Sequence, residues 1–162
     1  MQTATIHELK KELNQLKPAQ LVDICLQMAK FKKDNKELLT YLLFESQNEA
    51  AYIESIKHEL DTEMAEVKSP SVYLVKKSLR KILRQLDKYI RCSGNKQTEA
   101  ELRMYFLRQI KAAGLPVHRS QVLSNIYNGQ LKKIKSAVSK LHEDLQYDFG
   151  RELEEVGADD WY

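Results

Sequence analysis

The chain has 162 residues, of which 43% are hydrophobic and 30% are charged, and its formal net charge is +3. A chain of this length can bury a core without a metal or a disulfide, and its few glycines (5) and prolines (3) argue against collagen-like, disordered and turn-rich β folds. We therefore expect an all-α protein with one helical domain over residues 1–156 and a loose C-terminal tail, 157–162.

Local start signals mark four helices in the first part of the chain. A start is marked by a capping box, in which Ser, Thr or Asp is followed at i+3 by Glu, or by proline in the first turn. These signals stand at Thr5/Glu8, Pro18, Asp34/Glu37 and Ser46/Glu49. We expect the fourth helix to end near Val67, because Ser69-Pro70-Ser71 interrupts the pattern there.

The second part of the chain continues the helical pattern. The Thr98/Glu101 pair repeats the capping-box spacing and should open helix six, and Asn128-Gly129 is typical of a turn or kink between helices seven and eight. Seven or eight helices with short connections fit a compact bundle or a short array of helical hairpins. Beside helix six, the expected spans are Val72–Cys92, His118–Asn128 and Gln130–Val156.

The small net charge conceals a strong segregation of charge along the chain. The basic stretches are Tyr73–Lys96, with eight basic residues and one acid, and Arg103–Lys140, with eight basic residues and no acid. The acidic stretches are Glu45–Glu66, with seven acids and one lysine, and Glu143–Tyr162, with eight acids and one arginine. Such blocks either pair with each other inside the fold or bind an oppositely charged partner.

Helix five combines an apolar seam with a basic face. Val75, Leu79, Ile82, Leu86 and Tyr89 recur at coiled-coil spacing. Opposite them lies a row of cations, here called the basic ridge: Lys77, Arg80, Arg84, Lys88 and Arg91. The ridge is a candidate surface for a protein partner or for nucleic-acid phosphates. The interpretation we favour is that it pairs with the acidic fourth helix or with the acidic end of helix eight.

The expected helix eight is polarised against its own dipole. Lys132, Lys133 and Lys135 would lie in its first turns, whereas Glu152, Glu154 and Glu155 would lie in its last. A helix favours the reverse arrangement by about 0.3–1 kcal/mol per exposed charge. We therefore expect these charges to find partners inside the fold or in another subunit, most simply in a symmetric dimer.

One segment resembles a known DNA-binding motif. Arg108–Gly129 is similar to the helix-turn-helix of repressor-type proteins, on the turn Ala112-Ala113-Gly114 and on the run from Val122 to Asn128-Gly129. The resemblance implies a second helix that reads DNA. The segment departs from the family at Ile110, where a small residue is usual, and at Pro116 in the turn. These departures favour an ordinary helical hairpin.

No catalytic or metal-binding motif can be assigned. The four histidines are dispersed, and no second histidine follows His142-Glu143 at the spacing of zinc proteases. The sequence contains no glycine-rich phosphate loop, nucleophile elbow or paired-cysteine motif. We therefore expect a protein that is not an enzyme and that needs no cofactor or metal.

The cysteines and the absence of export signals bear on the compartment. Cys25 and Cys92 lie in apolar helical patterns, which predicts reduced thiols, with Cys25 buried. No apolar run approaches the ~20 residues of a membrane span, and residues 1–16 do not have the pattern of a secretion signal. We expect a cytoplasmic protein without a membrane partner.

The leading functional hypothesis is a non-enzymatic helical module for protein–protein interaction or scaffolding, whose partner is another protein or a second copy in a homodimer. The alternative is a nucleic-acid-binding accessory protein that uses the basic helix 72–92 and the basic region 103–140. The aromatic pair Trp161-Tyr162, which follows two aspartates, is a candidate ligand for a hydrophobic patch of this chain or of a partner.

Overall fold

The computed structural model describes residues 2–68 and 70–157, and the regular structure in these ranges is entirely helical. A π-helical turn, Tyr41–Glu45, follows the third α-helix, and a short 3-10 turn, Val117–Arg119, precedes the seventh. The prediction of an all-α fold with seven or eight helices is confirmed. The eight α-helices of the described ranges are α1 (Ile6–Leu13), α2 (Pro18–Phe31), α3 (Lys33–Thr40), α4 (Glu49–Ala65), α5 (Val72–Ser93), α6 (Lys96–Ala112), α7 (Gln121–Val138) and α8 (Glu143–Gly157).

The chain forms two compact units, one up to Phe44 and one from Glu45 onwards. In the N-terminal unit, α2 and α3 pack against each other as a hairpin. The extended backbone of Lys32 (φ −148°, ψ 137°) separates the two helices, and Asn35 Nδ2 donates a 2.9 Å hydrogen bond back to the Met28 carbonyl. Tyr41 is the single buried side chain among the described residues of this unit.

The C-terminal unit is a bundle built around α6. This helix packs against α4, α5, α7 and α8, and Ala100, Leu102, Phe106 and Leu107 are fully buried along it. The helices that α6 contacts are both of its neighbours in sequence and the next helix on either side, α4 and α8. The apolar core of this unit therefore lies on α6.

Two of the predicted start signals are found as expected. Thr5 Oγ1 accepts a hydrogen bond from the Glu8 amide at 3.3 Å, and Glu8 Oε2 accepts one from the Thr5 amide at 2.7 Å, so the first capping box is complete. Pro18 occupies the first position of α2, where its missing N–H costs nothing. In both cases the sequence signal is strictly local.

Three other predicted starts are wrong. Asn48, not Ser46, caps α4, because its side-chain carbonyl accepts the Ala51 amide at 3.1 Å. Likewise Asn95, not Thr98, caps α6, and its side chain accepts the Gln97 amide at 2.8 Å. The third start, α3, follows directly from the extended Lys32 and has no side-chain cap. Asparagine is at least as good an N-cap as serine or threonine, so Asn48 and Asn95 can take the position from their neighbours.

The predicted break between the last two helices is also wrong. α7 runs continuously through Asn128-Gly129 to Val138, and α8 starts at Glu143. A glycine inside a helix costs about 1 kcal/mol relative to alanine, and burial of Tyr127 and Ile134 on the same helix offsets it. The chain turns instead between Val138 and Glu143.

This new boundary changes the charge argument made for helix eight. Lys135 lies in the last turn of α7, and Glu143 and Asp144 lie in the first turn of α8. Both arrangements are the ones that the helix dipole favours. The lysines and the terminal glutamates therefore belong to different helices. Glu152, Glu154 and Glu155 still lie at the C-terminal end of α8, and Glu152 has a partner inside the fold, Arg108 of α6.

The seam of α5 is found almost as predicted. Val75, Leu79, Ile82 and Leu86 are buried, and the fifth buried position is Ile90 instead of Tyr89. Tyr89 is half-buried beside the seam, and its hydroxyl donates a 2.6 Å hydrogen bond to Glu59 Oε2 on α4. The helix stops at Gly94, whose φ of +67° is the left-handed conformation that favours glycine.

Candidate interaction surfaces

The basic ridge faces solvent on α5. Lys77, Arg80, Arg84 and Arg91 are exposed, and Lys88 is half-buried. Within the described residues, the side chains of Lys77, Arg80 and Arg84 form no hydrogen bond or ion pair. The ridge lies opposite the buried seam of its helix, which is why the bundle does not cover it.

The acidic residues that we expected to cover the ridge have other partners. Glu54 pairs with Lys57 at 2.7 Å on its own helix. On α8, Glu152 pairs with Arg108 of α6 at 2.8 Å, and the Glu155 carbonyl accepts a hydrogen bond from Lys111 Nζ at 3.0 Å. The acidic end of α8 therefore meets the cations of α6, and the expected pairing does not occur for Lys77, Arg80 or Arg84 within the described ranges.

A buried arginine joins three helices close to the ridge. Arg103 of α6 is only 4% exposed. Its guanidinium contacts Asp87 of α5 at 2.8 Å, Glu99 of α6 at 3.1 Å and the side-chain carbonyl of Gln130 on α7 at 2.7 Å. These three acceptors fix the position and orientation of the guanidinium group.

A cleft of about 780 Å³ lies beside this arginine, between α5, α6 and α7. We call it the cationic cleft. The carboxylates in its wall already have cationic partners, since Lys133 Nζ lies 3.5 Å from Asp87 Oδ1 and Lys96 Nζ lies 2.7 Å from Glu99 Oε2. Its charged lining consists of five cations and two carboxylates: Arg84, Arg91, Lys96, Arg103, Lys133, Asp87 and Glu99.

The surroundings of Glu99 favour its charged state. Burial alone would raise the pKa of this carboxyl, but hydrogen bonds from Lys96 and Arg103 outweigh burial and lower the pKa below its ordinary value of 4.5. Glu99 is therefore an anion at neutral pH, and it holds Arg103 and Lys96 in place at the wall of the cleft. Its contribution to stability is present above its ordinary pKa and is lost as the pH falls through the lowered one.

The N-terminal unit exposes much of its apolar surface. None of the side chains of α1, α2 or α3 is buried, and the exposed fraction reaches 88% at Phe31. Cys25, which we expected to be buried, is exposed, and neither cysteine forms a disulfide. The large apolar side chains exposed in this unit are Ile6, Leu9, Leu13, Val22, Leu26, Met28, Phe31, Leu38, Leu42, Leu43 and Phe44.

An apolar groove of about 650 Å³ lies along the α2–α3 hairpin. We call it the lysine-rimmed groove. Leu26, Ala29, Leu39, Leu43 and Phe44 form its apolar lining. Lys30, Lys33 and Lys36 also line it, and Lys33 lies 3.6 Å from Glu37 on its own helix. An apolar groove bordered by cations is suited to a ligand that is apolar on one side and acidic at its edges.

Sequence analysis did not identify this groove. The signal was present in α2, where Leu21, Val22, Ile24, Leu26 and Met28 occupy more than one face of the helix. A surface helix needs only one apolar stripe to pack on a core. The additional apolar residues of α2 therefore indicate a second surface, which the single-stripe interpretation overlooked.

Trp161 and Tyr162 lie outside the described residues. Residues 113–120 connect α6 and α7. The turn of a helix-turn-helix has only about 3–4 residues, so this segment is an ordinary helical pair.

Within 2–68 and 70–157 there is no cluster of three or more potential metal-ligating side chains, and none of the helices is both long and apolar enough to cross a bilayer.

Comparison of this chain with protein-family models, with curated proteins and with solved structures gave no match.

Proposed function

We propose that this chain is a protein-interaction module and that its N-terminal unit supplies the binding surface. The observation that supports this proposal is that α1–α3 bury no side chain, although they carry large apolar residues on several faces. A helical segment of this size has little core of its own to stabilise it. Exposed apolar surface of this kind is typical of a site for a partner.

The partner we propose is an acidic amphipathic helix of another protein. An apolar helix face fits the lining of the lysine-rimmed groove, and acidic side chains flanking that face would meet Lys30, Lys33 and Lys36. A second copy of this chain is less suitable, because a two-fold symmetric contact uses the same surface of both copies and would bring two lysine-bordered grooves together.

The experiment uses the full chain and a fluorescent synthetic helical peptide. The peptide has leucine at i, i+3, i+4 and i+7, with glutamate at the flanking positions, and a matched peptide has lysine in place of each glutamate. Fluorescence anisotropy should detect binding of the glutamate peptide and little binding of the lysine peptide. Equal affinity for both peptides, or no binding of either, would overturn the proposal.

Two variants locate the binding on the chain. Leu43→Ser with Phe44→Ser removes apolar lining from the groove, and both side chains are more than half exposed, so the helices should survive. Phe31→Ser is the control, because Phe31 is even more exposed but does not line the groove. We expect the double variant to lose binding and the control to retain it. Light scattering on the same samples detects self-association, which would identify a second copy as the occupant and contradict the proposed partner.

A second candidate function is the binding of nucleic acid to the basic ridge. The observation that favours it is the exposure of Lys77, Arg80 and Arg84 without a partner among the described residues. Each phosphate neutralised contributes roughly −0.9 to the slope of log affinity against log salt on duplex DNA. Arg80→Gln with Arg84→Gln should therefore reduce that slope by about 2. Retention of the full slope in this variant would exclude the ridge as the binding surface.

A further inference from the structure

The cationic cleft carries an inference that is independent of the N-terminal groove. Its charged lining has five cations against two carboxylates. The two carboxylates contact three of these cations, Arg103, Lys96 and Lys133. Arg84 makes no hydrogen bond or ion pair within the described residues, and Arg91 has only a long bond, 3.4 Å, to the carbonyl of Asp87. Positive charge therefore remains available in a concave site.

The arrangement of the cations is partly fixed before any ligand arrives. Arg103 is held by acceptors on three helices, and its carboxylate partners in turn hold Lys96 and Lys133 at the wall. A lysine ammonium has three donors, so Lys96 and Lys133 can each contact a ligand oxygen without leaving their carboxylates. A preorganised set of donors loses less conformational entropy when it binds.

From this geometry we infer that the cationic cleft binds a ligand whose phosphate groups together carry more than one negative charge. Arg84 and Arg91 would contact its oxygens from α5, and Lys96 and Lys133 would contact them from α6 and α7. Arginine provides planar paired donors that match phosphate oxygens, and lysine provides point charges. The phosphate is carried by a small phosphorylated compound or by the backbone of a nucleic acid, and the experiment distinguishes these two sources.

The first measurement is titration calorimetry of the full chain with inorganic pyrophosphate. Lys96→Gln with Lys133→Gln removes two charges from the cleft and none from the basic ridge. Lys77→Gln with Arg80→Gln removes two charges from the ridge and none from the cleft lining. We expect the first variant to weaken pyrophosphate binding at least about tenfold, because it removes direct charge-assisted contacts. The second should change it less than about twofold, because its charges act only through screened solvent.

A competition arm identifies the source of the phosphate. If a single-stranded oligonucleotide displaces pyrophosphate, and if the Lys96→Gln/Lys133→Gln variant binds that oligonucleotide more weakly than the wild type does, the cleft binds the phosphates of a nucleic-acid backbone. If binding of the oligonucleotide depends only on Lys77 and Arg80, or if the oligonucleotide does not bind, the cleft binds a small phosphorylated compound. Both results support a phosphate site. Absence of pyrophosphate binding at millimolar concentration, or equal weakening in the two double variants, would overturn the inference.

A measurement on the unmodified chain guards against variants that fail to fold. On addition of pyrophosphate, the backbone amide signals of Gly94 and Lys96 and the side-chain Nε–H signal of Arg103 should shift in an NMR spectrum. The amide signals of Lys77 and Arg80 should stay in place. Shifts spread evenly along α5, with none at Arg103, would indicate a diffuse electrostatic effect and would contradict a site.

Discussion

Arg103 Nη2 of α6 lies 2.8 Å from Asp87 Oδ1 of α5, and the arginine side chain is only 4% exposed. The carboxylate of Asp87 is 37% exposed, so one end of this ion pair is buried and the other reaches solvent. The pair thus connects the core of the C-terminal unit with the cationic cleft at its surface. A change at Arg103 should affect both stability and the geometry of the cleft.

Arg103→Met should destabilise the C-terminal unit. Methionine keeps an unbranched apolar stem but leaves Glu99 and Gln130 without their buried donor, and breaking a buried pair costs about 3–5 kcal/mol. We expect a loss near the lower limit, because Asp87 can be hydrated after the change. Urea unfolding measures it. Arg108→Met is the control, since its pair with Glu152 is exposed and should cost no more than about 1 kcal/mol. Equal losses would contradict the network.

We expect the protein to lose stability at alkaline pH when Tyr127 is deprotonated. Its hydroxyl donates a 2.7 Å hydrogen bond to the Val156 carbonyl of α8, and burial raises its pKa from 10.0 to about 12. Because the folded pKa is the higher one, the stabilisation is fully present below pH 10.0 and is lost as the pH rises through about 12. The unfolding free energy of the wild type should therefore fall across this range.

The matched variants for this prediction are two conservative changes of tyrosine. Tyr127→Phe should lower stability at neutral pH by about 1 kcal/mol, the value of one net hydrogen bond, and should weaken the alkaline decline. Tyr147→Phe should do neither, because Tyr147 is 69% exposed. An unchanged alkaline profile in Tyr127→Phe would show that another group causes the decline.

Gly129→Ala tests the continuity of α7. Nothing lies within 4 Å of a Cβ added at Gly129, so alanine should stabilise the helix by about 0.5–1 kcal/mol. If the chain turned at Asn128-Gly129, as the sequence alone indicates, the same change would destabilise it.

Gly94→Ala is the contrasting variant. Its φ of +67° disfavours any residue with a Cβ, and thermal unfolding should occur at a lower temperature.

Hydrogen exchange tests the difference between the two units. Amides of α1–α3 should exchange quickly, because few apolar contacts oppose local opening of these helices. Amides of α6, with Phe106 and Leu107 fully buried, should exchange only through global unfolding of the bundle. Equal protection in the two units would mean that the apolar faces of α1–α3 are covered in solution, and the proposed function would lose its basis.

Local signals predicted the fold class and parts of several helices. The Thr5/Glu8 box, Pro18 and the seam from Val75 to Leu86 each depend on residues within a few turns of one another, so sequence spacing is sufficient to predict them. The end of α7 could not be predicted in this way. An isolated Asn-Gly pair is typical of a turn, and only tertiary packing of the flanking helix keeps Gly129 helical.

The candidate sites were predicted less well than the helices. The sequence identified the basic ridge as a row on one helix face, but it could not predict that the ridge is exposed. The ridge is exposed because the acidic end of α8 packs against α6, where Glu152 pairs with Arg108. The cationic cleft could not be predicted, because Asp87, Arg103 and Gln130 are far apart in sequence and meet only when three helices pack. The prediction of one domain over residues 1–156 remains a prediction.

The most direct measurement of the central claim is a charge exchange at the lysine-rimmed groove. Lys30→Glu with Lys36→Glu reverses two rim charges and leaves the apolar lining unchanged. In fluorescence anisotropy, the wild type should bind the glutamate-flanked helical peptide and the double variant should prefer the lysine-flanked one, since opposite charges at the rim select the partner. Binding of the glutamate peptide with equal affinity by both proteins would contradict the claim that this groove recognises an acidic amphipathic helix.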